Sequence, residues 1–182
     1  MELLNYVKKY TLPTDLLELT VQLKYEEWVP HSWYTPSGNL YDDKDPLNNV
    51  VCYEDVEKYF FPVFRDLFRR YEIDCGVDSN LVVQISGVRL NQYREGEFMK
   101  LHHDHIHSAF QDAPPHSRGI PVLSVVGNVS TEPYTGGQFY LCNRDMHLDP
   151  GDAIIFPSSF MFPHEVKPVL SGVRTSFVTW AW

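Results

Sequence analysis

The sequence predicts a mainly β fold with helices ahead of it, closed as a double-stranded β-helix, or jelly roll. Three observations carry this. The hydrophobic period changes near residue 81, from three and four residues to two. Short β-prone runs then recur at even spacing with turn residues between them, as in a sandwich or barrel. Aromatic residues make up 14% of the chain, a composition that suits strands.

The 182 residues fit one domain, read as helical support and loop over 1–75 and a jelly-roll core over 81–182. Asp15 and Glu18 form a capping box after Pro13 and open a short helix with Leu16, Leu17, Leu19, Val21 and Leu23. Residues 30–50 hold Pro30, Pro36, Gly38, Asn39, three aspartates and Pro46, and read as a long loop. A second helix is expected over residues 54–71, where Val56, Tyr59, Phe60, Val63, Phe64, Leu67, Phe68 and Tyr71 repeat at three and four. Pro62 should kink or break it. The aromatic stripe reads as a face packed on a sheet rather than a ligand box. Strands follow at 81–90, 121–129, 138–141, 153–156 and 173–182. Turns fall at 133–137, 149–152 and Ser171-Gly172.

Net charge is −9, so the surface repels phosphate backbones and nucleic acid is not an expected partner. Cys52, Cys75 and Cys142 form neither a CxxC pair nor a dense framework, which suits reduced thiols and a cytoplasmic location. No basic region followed by an apolar stretch opens the chain, and no apolar run approaches the roughly 18 residues of a membrane helix.

Histidine clusters in LHHDHIH at residues 101–107, which invites a metal reading. A site with two His and one carboxylate leaves open positions on iron for oxygen and substrate. Alternation along a strand would point both ends of a His-x-Asp pair the same way, and the third ligand must come from a distant strand. His-x-Asp occurs twice, at His102 to Asp104 and at His147 to Asp149. Spacing separates them. His164 lies 60 residues beyond Asp104, room for the strands that complete a barrel, whereas His147 is close to His164 and Asp149 opens a turn. The second copy is read as structural.

The ordered set HxD, GG-x-F-x-L, GD-x-I-x-F, H-E-V-x-P-V and G-x-R, over residues 81–182, resembles the prolyl-hydroxylase branch of the 2-oxoglutarate/iron(II) oxygenase superfamily. The resemblance implies a jelly-roll core and Fe(II) held by His102, Asp104 and His164. It also implies 2-oxoglutarate and dioxygen as cosubstrates, with ascorbate a further candidate. The implied reaction is hydroxylation coupled to decarboxylation of 2-oxoglutarate to succinate. His103, His105 and His107 have no counterpart among the family's ligands, and strand alternation turns His103 away from the metal.

The distal carboxylate of 2-oxoglutarate needs a buried cation. Arg174, ten residues after His164, stands where the family keeps a basic residue, and a guanidinium can hold a carboxylate with two parallel hydrogen bonds. Ser176 faces the same side two residues on. Tyr93 matches the family's tyrosine ahead of HxD. Family members often place a tyrosine on the strand after the lid, and Asn128 stands there instead. The Pro-rich segment 105–120 reads as the lid. By analogy the substrate is a protein or peptide, with a prolyl residue first, and small metabolites stay open. Two other readings compete. A cupin-like metal-binding module without oxygenase activity would not need Arg174. A nucleic-acid demethylase would resemble a branch with a second Arg six residues after the first, where this chain has Trp180.

Overall fold

A computed structural model of the protein describes residues 2–22, 28–31, 47–51, 54–77, 81–104 and 121–182. After a 3-10 turn at Leu3–Tyr6 come β1 (Lys8–Thr11), α1 (Thr14–Gln22), β2 (Val29–Pro30), β3 (Asn48–Val51) and α2 (Glu54–Cys75). Strands follow: β4 (Arg89–Tyr93), β5 (Met99–His102), β6 (Leu123–Asn128), β7 (Tyr134–Gly136), β8 (Phe139–Leu141), β9 (Arg144–Asp145), β10 (Asp152–Pro157), β11 (His164–Val166), β12 (Val169–Gly172) and β13 (Arg174–Ala181). One sheet runs β1-β10-β6-β13-β4-β3-β2, a second β5-β11-β8-β9, and β12 pairs with β7.

Period-two patterning gives the large sheet two apolar faces. On β10, Ala153 and Ile155 pack in the cluster with the helices, while Ile154 and Phe156 pack towards the small sheet. Val125 and Val126, and Phe177 and Val178, divide in the same way. Such strands carry near-continuous apolar runs because both faces are covered. On the helix side, Phe60, Phe64 and Phe177 lie with ring centroids 5.2–5.9 Å apart. A Cβ at Gly127 would collide with the Phe177 ring, so the bare glycine makes the room for it. Between the sheets, Phe139 and Phe156 meet at 6.1 Å. The two sheets enclosing this second core make the expected jelly roll.

Several details differ from the sequence reading. The first helix begins at Thr14, with Asp15 in its first turn rather than capping it. The second runs through Pro62 and on to Cys75 without a break. An interior proline costs a helix about 3 kcal/mol. Burying Phe60, Phe64, Leu67, Phe68 and Tyr71 at about 1.5–3 kcal/mol each outweighs that. The ends of the expected loop at 30–50 are strands, because β4 offers β3 an open row of backbone groups and β3 offers one to β2 at the sheet's edge. Its middle, 32–46, lies outside the described residues, as do Leu23, Cys52 and the expected lid at 105–120.

The run at 81–90 is a strand only from Arg89. Before that, Val83, Gln84 and Ser86 donate their N–H groups singly to the carbonyls of Trp182 and Trp180. Residues 133–137 and Ser171-Gly172 are not simple turns. Tyr134 pairs with Gly172 and Thr135 with Ser171, joining β7 to β12. The 149–152 turn forms, closed by Asp152 N–H to Asp149 carbonyl at 2.9 Å. Among the described residues no helix is long and apolar enough to cross a membrane.

Candidate metal and cosubstrate site

The site begins with one strand pairing. β5 and β11 run antiparallel with His102 opposite His164, which sets their rings 4.2 Å apart. β5 ends at His102, and the chain carries Asp104 two residues on into the barrel, 4% exposed. His102 Nε2 lies 3.8 Å from Asp104 Oδ1, and His164 Nε2 lies 3.7 Å from Asp104 Oδ2. The ligand atoms of all three residues fall within 4.8 Å of one another, close enough to hold a metal ion. His103 is exposed, as alternation requires.

Backbone carbonyls aim both rings. His102 Nδ1 lies 2.7 Å from the Lys100 carbonyl and His164 Nδ1 lies 3.1 Å from the Phe162 carbonyl. The tautomer that satisfies both bonds carries the proton on Nδ1 and turns the Nε2 lone pair towards Asp104, as metal-binding histidines do. Burial lowers His102 to about 4; nearby His164 adds to this and Asp104 opposes it, so the ring is neutral near pH 7. Burial works to raise the Asp104 carboxyl. His164, His102 and the Ser124 hydroxyl outweigh it and hold the group below its ordinary value.

Ser124 is a residue that sequence reading missed. Its hydroxyl donates to Asp104 Oδ2 at 2.7 Å and meets the Ser158 hydroxyl at 2.7 Å, and both serines are buried. Its signal was parity on β6, since it lies on the same face as Val126 and Asn128.

Arg174 begins β13 opposite Tyr93 and is 1% exposed. Its guanidinium stands 5.3 Å over the Tyr93 ring, and its Nη1 is buried with no hydrogen-bond partner. An unpaired buried cationic donor is costly, and a carboxylate would satisfy it. Arg174 lines a cleft of about 380 Å³ that Tyr134, Phe139, Leu148 and Asp149 also line. Phe139 in turn packs against the His164 ring at 5.7 Å. The donor set could thus hold a metal ion, and the orphaned guanidinium could take a carboxylate.

The other expected residues are placed as follows. Ser176 is 2% exposed and lies between Asn91 and Asn128 in register. The Tyr93 hydroxyl donates to Met99 Sδ at 4.0 Å. Asn128 is fully buried, and its amide donates 2.8 Å bonds to the Tyr134 hydroxyl and the Leu148 carbonyl.

Comparison with known proteins gives the family and the fold. The sequence model of the 2OG-Fe(II) oxygenase superfamily matches residues 88–182. A PKHD-type hydroxylase of Shewanella baltica (strain OS185) is 28% identical over 108 residues, 57% of this chain and 46% of the relative. The chain thus matches about half the length of that relative. Among solved structures, a Pseudomonas putida prolyl-4-hydroxylase superposes with TM-score 0.68 at 17% identity, covering 96% of this chain and 91% of that one. A Trichoplax adhaerens prolyl hydroxylase, in complex with a hypoxia inducible factor peptide fragment, gives 0.71 at 16% identity, covering 98% and 84%. At such identities the structural likeness establishes the shared jelly-roll fold.

Proposed function

Because the chain belongs to the 2OG-Fe(II) oxygenase superfamily, we propose that it is an iron(II)- and 2-oxoglutarate-dependent hydroxylase acting on a prolyl or other residue of a protein or peptide. His102, Asp104 and His164 are the proposed iron ligands and Arg174 the proposed anchor for 2-oxoglutarate. The observation that carries this reading is the buried, unpartnered Nη1 of Arg174 in the same barrel as the His-Asp-His group.

When bound, iron and 2-oxoglutarate supply the oxidising chemistry, in which dioxygen puts one atom into succinate and one into the substrate C–H bond as carbon dioxide leaves. The chain's own residues bind, orient and exclude water. The Lys100 and Phe162 carbonyls hold both imidazoles turned inward. Asp104 brings one negative charge, kept ionised by its neighbours and fixed by Ser124. Arg174, buried and stacked on Tyr93, would neutralise the distal carboxylate, an attraction that is stronger away from bulk water. A peptide substrate is supported by the peptide bound to the Trichoplax adhaerens enzyme. A cytoplasmic location is supported by free thiols at Cys75 and Cys142. Ascorbate is proposed only as the reductant that restores iron(II).

The test is a titration of 2-oxoglutarate into anaerobic iron(II)-loaded protein, followed by the visible absorbance of the chelate. Arg174→Ala should weaken binding at least about tenfold, since a charged hydrogen bond contributes roughly 1.5–3 kcal/mol. Arg174→Lys should fall between, keeping the charge but losing the planar fork. An unchanged dissociation constant in Arg174→Ala would leave a jelly-roll metal protein without this cosubstrate. Mass spectrometry of candidate peptides for a gain of one oxygen, with and without 2-oxoglutarate, then identifies the substrate.

A further inference from the structure

One arginine does not satisfy a carboxylate. The group has two oxygens and about four acceptor sites, and a buried one needs further donors. Tyr134 stands beside Arg174. It opens β7 opposite Gly172, and Arg174 follows Gly172 by two residues. Gly137 has a positive φ of 64°, and a Cβ there would lie 2.9 Å from Arg174 Cδ and 3.6 Å from Tyr134 Cε2. The stem of the guanidinium and the hydroxyl-bearing end of the phenol ring therefore converge on one bare glycine. Both side chains line the same cleft.

Asn128 settles which way the phenol can act. Its Nδ2 donates to the Tyr134 oxygen at 2.8 Å, so the phenol's own proton is left to donate elsewhere. The amide has no capacity to spare. Its second N–H goes to the Leu148 carbonyl at 2.8 Å, and its oxygen accepts the Ser130 N–H at 3.1 Å. Turning Asn128 towards a ligand would break all three bonds.

We propose that Tyr134 is the second partner of the distal carboxylate of 2-oxoglutarate, and that Asn128 is a positioning residue acting through Tyr134. The inference rests on the cosubstrate reading given under Proposed function. Tyr134 donates its hydroxyl proton to one carboxylate oxygen while Arg174 serves the other.

The test compares two probes on the anaerobic iron(II)-loaded protein. One is 2-oxoglutarate. The other is 2-oxobutanoate, which chelates iron through the same 2-oxo acid end but has no distal carboxylate. Tyr134→Phe keeps the ring and removes only the hydroxyl. It should weaken 2-oxoglutarate about tenfold, equivalent to about 1.4 kcal/mol, and leave 2-oxobutanoate unchanged. Asn128→Ala should weaken 2-oxoglutarate in the wild-type background but add less than about twofold in Tyr134→Phe, because the two act as one unit. Thermal unfolding of each variant checks that it folds, and Tyr134→Phe decides the matter if Asn128→Ala does not. Equal losses for both probes, or none in Tyr134→Phe, overturn the proposal. Normal 2-oxoglutarate binding that Arg174→Ala loses and Tyr134→Phe keeps overturns it alone, whereas no 2-oxoglutarate chelate in the wild-type protein overturns the cosubstrate reading with it.

Discussion

The chain carries two His-x-Asp pairs, and at close range they are nearly the same object. His102 Nε2 lies 3.8 Å from Asp104 Oδ1, and His147 Nε2 lies 3.6 Å from Asp149 Oδ1. Their surroundings differ completely. The first pair has side chains 15% and 4% exposed, the second 80% and 67%. His102 ends a strand paired to β11, which delivers His164. His147 sits between β9 and β10 with a positive φ of 43°, its N–H held by Asp145. An exposed pair of this kind is screened by water and contributes little. Two residues of spacing set the pair distance, but only a neighbouring strand adds a third ligand and a dry wall.

Breaking each copy in turn gives the largest expected contrast. Asp104→Ala should abolish iron(II) binding and iron-dependent turnover, and His102→Ala or His164→Ala should abolish turnover, all with the fold retained. His147→Ala and Asp149→Ala should keep both. Metal titration with elemental analysis of the purified variants decides it, and iron lost from Asp149→Ala but kept by Asp104→Ala would reverse the assignment. A milder change probes the wall. Ser124→Ala removes the hydroxyl that fixes Asp104, and such supporting partners cost about 10–100-fold in metal affinity or activity. The fall should appear in iron affinity, and no change would mean Asp104 is fixed by packing alone. The smallest effect is expected at the second copy. Asp149 lines the cleft that reaches Arg174. Asp149→Asn should strengthen 2-oxoglutarate by less than about threefold, fading as salt is raised. A tenfold change at any ionic strength would make the second copy part of the site.

Much of this was legible because it is local or periodic. The aromatic repeat along Phe60, Phe64, Leu67, Phe68 and Tyr71 requires one buried helix face, and that face packs on the sheet. The strands at 121–129, 153–156 and 173–182 announced themselves through β-prone, largely apolar runs, the consequence of having both faces covered. Motif order pointed to His102, Asp104 and His164. What escaped depends on partners far away in sequence. Asn48 and Asn49 look like turn residues and pair only because β4 presents an open edge. Ser124 is an ordinary serine until folding brings Asp104, 20 positions earlier, onto its hydroxyl. The Asn128–Tyr134 contact links a strand to what the sequence presents as a turn.

β13 is the last of the described strands, yet it lies in the middle of the large sheet, between β6 and β4. A chain emerging from the ribosome therefore holds two incomplete half-sheets, β1-β10-β6 and β4-β3-β2, each with an exposed apolar edge that invites aggregation. β13 must be made before they can join, a non-local closure of the kind that folds slowly. Arg174 is the first residue of that closing strand. The half of the site proposed to hold the dicarboxylate is thus assembled in the same late step that removes the sticky edges, while the strand pair bearing the two histidines belongs to the other sheet. Cosubstrate binding would therefore report that the closing strand has joined the sheet.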